Sequence, residues 1–329
     1  MTSSRPDFDP ELHSLLTQMP LNSQLTPDLL ATLRQYPSTP PETFYGRRTV
    51  ERQDVTVPAQ DGAQLPLSIF SPVGAEAAPC IYWMHGGGMV MGDRLSQIDI
   101  PLEWLEEFGA VVVSVDYRLA PEVSGSTLVD DCYAGLLWIA EHADELGIDR
   151  DRIIIAGASA GGGLAAGITL MARDRRSVAI AAQILICPML DHRGVTASSH
   201  QYSGDPGIWT REMNEFGWSS VLAGSTSPSS YLSPALAEDL SGLPVTYIDA
   251  GTAEVFRDED VSYASRIWAA GGQADLHVWS GGFHGFDAVF PQAALSREAR
   301  HTRTSWLSRT LIRLTPSRTD HPEPAYASR

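Results

Sequence analysis

Between Thr49 and Leu314 the chain repeats one pattern, a short apolar run of strand length followed by a longer segment with helical period. The continuous runs are Cys80–Met84, Ala110–Val115, Arg152–Ala156, Ile180–Cys187, Pro244–Ile248 and Ala274–Trp279. A strand that is apolar on both faces must be covered on both. The intervening segments Ser96–Phe108, Leu128–Leu146, Leu164–Arg173, Asp258–Ala270 and Gln292–Leu311 carry apolar stripes that can cover it. Two earlier runs, Val50–Val57 and Gln64–Phe70, alternate apolar and polar residues around Asp61-Gly62, a hairpin signal. The expected fold class is therefore α/β: a mostly parallel, mixed, eight-stranded sheet with helices on both faces. A length of 329 residues, 43% of them hydrophobic, suits one such domain with a deep core.

Three segments fall outside the repeat. Residues 1–45 are broken by prolines, with short amphipathic helices expected near Pro10–Met19 and Pro27–Tyr36, and they read as an N-terminal helical cap segment. Residues 46–314 form the expected catalytic domain. Within it, residues 191–236 lack a strand pattern, are rich in Ser, Gly and aromatics, and include a helical stretch at Thr210–Leu222; this reads as a cap insert. Residues 315–329 read as a disordered tail.

Charge and composition exclude several function classes. The net charge of −17 disfavours nucleic acid and anionic membrane surfaces as partners. All 23 basic residues are Arg, so Walker A phosphate binding, Schiff bases and Ser–Lys dyads are unavailable. No apolar run approaches the ~18 residues of a membrane span. Residues 1–10 hold Asp7 and Asp9 and no apolar stretch, which argues against a secretory signal and makes a cytoplasmic location the expectation. Cys80, Cys132 and Cys187 form no CxxC pair and read as buried free thiols. There is no HExxH motif and no Cys/His cluster along the chain, and Asp191-His192 is a weak ligand candidate; neither a metal nor a cofactor is expected.

Several motifs carry chemistry. Gly157-Ala158-Ser159-Ala160-Gly161 lies between an apolar run and a small-residue helix, the strand–turn–helix context of a nucleophile elbow. His85-Gly86-Gly87-Gly88 follows another run, and consecutive glycines can present backbone N–H groups to an oxyanion. Its His85 reads as a packing residue. Of the nine histidines, His284 alone lies in a post-strand loop beyond the nucleophile, where a general base belongs. The acid partner should follow the run Pro244–Ile248. Glu254, in the loop opened by Gly251, is the first choice; Asp258, on the next helix, and Asp249, at the strand end, are the alternatives.

These motifs, with Asp116-Tyr117-Arg118-Leu119-Ala120-Pro121-Glu122, Arg257-Asp258-Glu259 and His284-Gly285-Phe286, resemble the hormone-sensitive-lipase family of esterases, the bacterial family IV enzymes of the α/β-hydrolase superfamily. The resemblance spans roughly Val50 to Leu311. It implies an α/β-hydrolase fold, carboxylesterase activity, an N-terminal cap helix pair, and an oxyanion hole made by the amides of Gly87, Gly88 and Ala160. It also implies that Arg118 and Glu122 brace the glycine loop. Three departures stand out: Val123-Ser124-Gly125-Ser126 replaces the family's His-Pro-Phe-Pro, Ala158 stands where Asp or Thr is usual, and Glu254 stands where Asp is commoner.

The expected reaction is hydrolysis of a small-molecule ester through Ser159, His284 and Glu254 by way of an acyl-enzyme. Met89, Tyr202, Trp209 and Phe216 are expected to line the substrate, which favours small to medium uncharged acyl groups. Lactone, carbamate or amide hydrolysis and acyl transfer would use the same groups. A ligand-binding receptor on a dead hydrolase fold is a remote reading, because both Ser159 and His284 are present. A homodimer is compatible with the sequence.

Overall fold

The computed structural model describes residues 5–314, so the expected tail at 315–329 lies outside the described residues. Two short helices come first, α1 (Pro10–Leu16) and α2 (Pro27–Leu33). Each has proline in its first turn and a side-chain cap, Asp9 accepting from the Leu12 N–H and Thr26 from the Leu29 N–H. Both end about three residues sooner than their apolar patterns suggest.

The strands are β1 (Val50–Pro58), β2 (Gln64–Pro72), β3 (Ala78–Met84), β4 (Val111–Val115), β5 (Ile148–Ala158), β6 (Ala182–Ile186), β7 (Val245–Ala253) and β8 (Ala274–Phe283). They form one eight-stranded sheet in the order β1-β2-β4-β3-β5-β6-β7-β8. The hairpin β1–β2 and the pair β2–β4 are antiparallel; every other pairing is parallel. The helices that follow are α3 (Asp99–Phe108), α4 (Thr127–Glu141), α5 (Ala160–Arg175), α6 (Ala197–Gln201), α7 (Arg211–Leu222), α8 (Arg257–Ala269), α9 (Phe286–Val289) and α10 (Ala294–Leu314).

Strand periodicity divides the core into two layers. In β3, Cys80, Tyr82 and Met84 pack with residues of α4, α5 and α8, while Ile81 and Trp83 pack with α3 and α10. All five are fully buried, as a central parallel strand demands. A third cluster joins Leu12 and Leu16 of α1 to Phe283, Phe286 and Ala299, docking the N-terminal segment at the end of β8.

The sheet departs from the sequence reading at β7 and β8. The sequence pattern ends these strands at Ile248 and Trp279; in the structure they run on to Ala253 and Phe283. Gly251 and Gly282 look like strand breakers in the sequence, yet they let the two backbones pass at a distance no side chain would permit. As a consequence Glu254 and His284 are each the first residue after a strand, at the ends of neighbouring strands.

Candidate active site

Ser159 sits between β5 and α5 with φ +56° and ψ −121°, a strained conformation for a residue with a side chain. Its backbone is held by Ser159 N–H donating to the Ile186 carbonyl at 2.7 Å and by the Met189 N–H donating to its own carbonyl at 2.9 Å. The flanking glycines are sterically required. A Cβ at Gly157 would lie 2.3 Å from the Gly161 carbonyl oxygen, and one at Gly161 would lie 2.1 Å from that of Met84.

From this turn a hydrogen-bonded series runs inward. Ser159 Oγ is 2.8 Å from His284 Nε2, and His284 Nδ1 donates to Glu254 Oε2 at 2.6 Å. The remaining carboxylate oxygen, Glu254 Oε1, accepts from the Gly251 N–H at 2.8 Å. Glu254 is 1% exposed and His284 7%, so the polar series is screened from solvent. Phe256 meets the imidazole edge-on, with ring centroids 5.0 Å apart.

The other two carboxylates weighed from the sequence point elsewhere. Asp249 is buried and pairs with Arg303 at 2.8 Å. Asp258 Oδ2 accepts from the Ser198 N–H at 2.8 Å, tying α8 to α6. Glu259 accepts from the Leu190 and Asp191 N–H groups at the start of the residue 191–236 insert, and burial pushes its carboxyl well above the usual range.

The glycine loop lies beside Ser159. Gly87 and Gly88 have φ of +118° and +62°; a Cβ on Gly87 would meet the Met91 carbonyl oxygen at 2.1 Å, and one on Gly88 would meet the Trp209 ring at 2.2 Å. Ala160 opens α5, so its N–H belongs to the first turn, which has no carbonyl within the helix to receive it. Gln97 Oε1 accepts from the Gly86 N–H at 2.8 Å, and Tyr117 donates its hydroxyl to the His85 carbonyl at 2.8 Å while stacking on the His85 ring. Burial lowers the His85 pKa, which fits a neutral packing residue. The bracing role implied for Arg118 and Glu122 is divided differently. Arg118 binds Asp131 of α4 and Asp61 of the β1–β2 turn. Glu122 binds Arg34, just after α2, and it is Arg34 that reaches the loop, donating to the Val90 and Ala120 carbonyls at 2.7 Å each.

Ser159, His284 and Gly87 open onto a cavity of about 280 Å³ with a mainly apolar lining. Of the four side chains expected at the substrate, Trp209 lines this cavity. Met89 is fully buried in the core, Phe216 packs against the same core, and Tyr202 borders a small neighbouring void shared with Trp209 and His284. The sequence reading missed Leu21, Leu25, Leu29 and Leu33, which form one wall. Their spacing of four residues was the available signal. The opposite part of the roof is tied to them: the Gly207 N–H donates to the Asn22 carbonyl at 3.1 Å, and Thr210 Oγ1 donates to the Ser23 carbonyl at 2.6 Å.

The absence of a Cys/His cluster along the sequence does not carry over to three dimensions. Cys187, one residue past β6, lies with Glu254 and His284 so that their ligating atoms are all within 4.8 Å of one another. The weak candidate His192 instead meets Ser233, and Asp191 pairs with Arg193. Among the described residues no helix is long and apolar enough to cross a membrane.

Residues 81–288 match the family model described as alpha/beta hydrolase fold. The chain is 34% identical over 307 residues to "Carboxylesterase NlhH" of Mycobacterium tuberculosis, covering 89% of this chain and 94% of the relative. It is 30% identical over 237 residues to "Arylesterase" of Saccharolobus solfataricus, covering 72% and 77%. Among solved structures, "Bacterial Heroin Esterase" superposes with a TM-score of 0.83 at 36% identity, covering 92% of this chain and 98% of that one. The chain thus belongs to the α/β-hydrolase fold family, in its hormone-sensitive-lipase-like branch.

Proposed function

We propose that this chain is a carboxylesterase that cleaves small to medium uncharged acyl esters through Ser159, His284 and Glu254. The observation that carries the reading is the series Ser159–His284–Glu254, with separations of 2.8 and 2.6 Å, opening onto an apolar cavity. Relatives named as carboxylesterase and arylesterase support the same activity.

The geometry supports the following steps. Ser159 Oγ attacks the ester carbonyl as its proton passes to His284 Nε2. Glu254 accepts from Nδ1–H, fixing the tautomer that leaves Nε2 free and stabilising the imidazolium. Negative charge growing on the carbonyl oxygen is met by the amides of Gly87, Gly88 and Ala160, where removal of one donor from such a hole typically costs about 10²–10³ in kcat. The imidazolium then protonates the leaving alkoxide, and a water deprotonated by His284 releases the acyl group from Ser159.

The wall of leucines and Trp209 offers an acyl group nothing charged to pair with, which favours uncharged substrates. Residues 1–45 and 191–236 act together as the cap, joined through Asn22–Gly207 and Ser23–Thr210. Turnover of p-nitrophenyl acetate, butyrate, octanoate and palmitate, beside a matched anilide, tests the proposal. The expected order places butyrate or octanoate above palmitate and every ester above the anilide. Anilide turnover equal to that of the matched ester would refute it.

A further inference from the structure

We propose that Cys187, Glu254 and His284 form a capture site for a zinc-group divalent cation, and that filling it shuts the catalytic base away from Ser159. The three residues supply one sulfur, one imidazole nitrogen and one carboxylate oxygen, the donor set that borderline-to-soft cations such as Zn²⁺ and Cd²⁺ take in tetrahedral sites. Their ligating atoms already lie within 4.8 Å of one another; tetrahedral ligands on zinc stand about 3.5 Å apart, so closure needs side-chain shifts of about 1 Å. The backbone under Cys187 is firmly placed, since its N–H donates to the Asp249 carbonyl at 2.7 Å.

The cavity and the Glu254 carboxylate both favour a cation here. Cys187 and His284 line the cavity that also holds Ser159, and an ion entering it reaches the inward-facing Nδ1 and Glu254 as the His284 ring shifts. Behind Cys187 and Glu254, Asp249 and Asp287 border a small void together with Arg303, which pairs with both carboxylates. The thiol is pushed well up, first by burial and then by Glu254, Asp287 and Asp249, so the resting enzyme holds it neutral; Asp249 and Asp287 already pair with Arg303, which leaves Glu254 to attract a cation. Binding replaces the S–H bond with a metal–sulfur bond and releases that proton to solvent. Coordination through His284 Nδ1 breaks its hydrogen bond to Glu254 and moves the ring proton to Nε2, which can then no longer accept from Ser159. A fourth position remains for water. The loss of turnover rests on His284 acting as base in the proposed reaction; the binding itself does not.

Cys80 in β3 and Cys132 in α4 are buried in the core, which isolates the contribution of Cys187. Wild-type, Cys187→Ala, Cys187→Ser and Cys80→Ala chains are titrated with Zn²⁺, each rate referred to its own metal-free rate, and with Cd²⁺, following thiolate-to-cadmium charge-transfer absorption. The expected results are one cadmium–thiolate band per wild-type and Cys80→Ala chain, no band after either Cys187 substitution, and a half-inhibiting Zn²⁺ concentration raised at least about tenfold by those substitutions. An unchanged half-inhibiting concentration, a band that persists without Cys187, or wild-type chains that bind no cadmium would each overturn the site. If one Cys187 variant does not fold, the other is read in its place. If the protein hydrolyses no ester, the cadmium band alone decides the matter, which separates failure of this site from failure of the esterase reading.

Discussion

Gly251 and Gly282 approach so closely that a Cβ on Gly251 would stand 1.9 Å from the Gly282 carbonyl oxygen. This contact draws together the ends of β7 and β8, from which Glu254 and His284 project, and the Gly251 N–H also holds Glu254 Oε1. Gly251→Ala must push the strand ends apart. Displacements of about 1 Å in a catalytic array can cost about 10²-fold in rate. The variant is expected to lose about that factor in kcat while its folded form keeps native far-ultraviolet circular dichroism; a kcat within about twofold of wild type would mean that the contact does not position the pair.

Glu254 and Asp249 lie five residues apart on one strand and its end, and substitution should separate their roles. Glu254→Gln is expected to lower kcat by about 10²–10⁴ with little change in KM, through the wrong imidazole tautomer. Asp249→Ala leaves buried Arg303 with Asp287 as its remaining carboxylate here; loss of a buried charge's whole partner costs about 3–5 kcal/mol, so destabilisation of up to about that size is expected. Steady-state kinetics and urea unfolding on both variants check this. The assignment is reversed if Asp249→Ala is the catalytically dead one and Glu254→Gln the unstable one.

Much of this architecture can be read from the sequence because alternation of buried runs with amphipathic segments admits few folds. The elbow and the glycine loop each follow a run that becomes a central strand. What the sequence conceals are contacts between backbones. Gly251 and Gly282 read as breakers because glycine weakens an isolated strand, whereas here it permits two strands to continue side by side. Leu25, Leu29 and Leu33 look like the apolar face of a peripheral helix, and only the folded chain turns them toward Ser159. Along the sequence Met89 adjoins the glycine loop and Phe216 lies in the insert, but Met89 is buried in the core and Phe216 is half-buried against it. Cys187 is buried, as its apolar surroundings suggest, and the crossing from β6 to the ends of β7 and β8 places it beside the site.

Deleting residues 1–45 should remove one wall of the cavity. Chain-length preference across the p-nitrophenyl ester series should broaden toward palmitate, and KM for butyrate should rise several-fold, while the circular dichroism of the sheet is retained. Leu29→Ala with Leu33→Ala should move preference in the same direction to a smaller degree. Wild-type kinetics across the whole series in the truncated chain would contradict the role of this segment.

Asp260 of α8 is buried, and among the described residues neither carboxylate oxygen has a hydrogen-bond partner. Burial, then the charges of Glu254 and Glu259, push its carboxyl well above the usual range. The folded state therefore keeps this proton after the unfolded chain has lost it, and stability falls as pH rises from the ordinary carboxylate range toward the raised value. Asp260→Asn removes that ionisation. Its stability relative to wild type should therefore increase with rising pH, by up to about 1.4 kcal/mol for each pH unit separating the two pKa values. Urea melts at several pH values from mildly acidic to neutral read this directly; a difference that is flat with pH would show that Asp260 is ionised in the folded protein.

The role of Ser159 as the nucleophile of an esterase is tested by the butyrate ester hydrolysis rate of Ser159→Ala. The substitution removes one oxygen from a turn whose conformation is set by backbone contacts and by Gly157 and Gly161, so the fold should be retained. Loss of the nucleophile in such a series typically costs about 10⁶ in kcat, with a residual rate above water from oxyanion binding alone. A fall of at least about 10⁴ is expected; a folded Ser159→Ala protein that keeps more than about a hundredth of wild-type kcat would exclude Ser159 as the nucleophile.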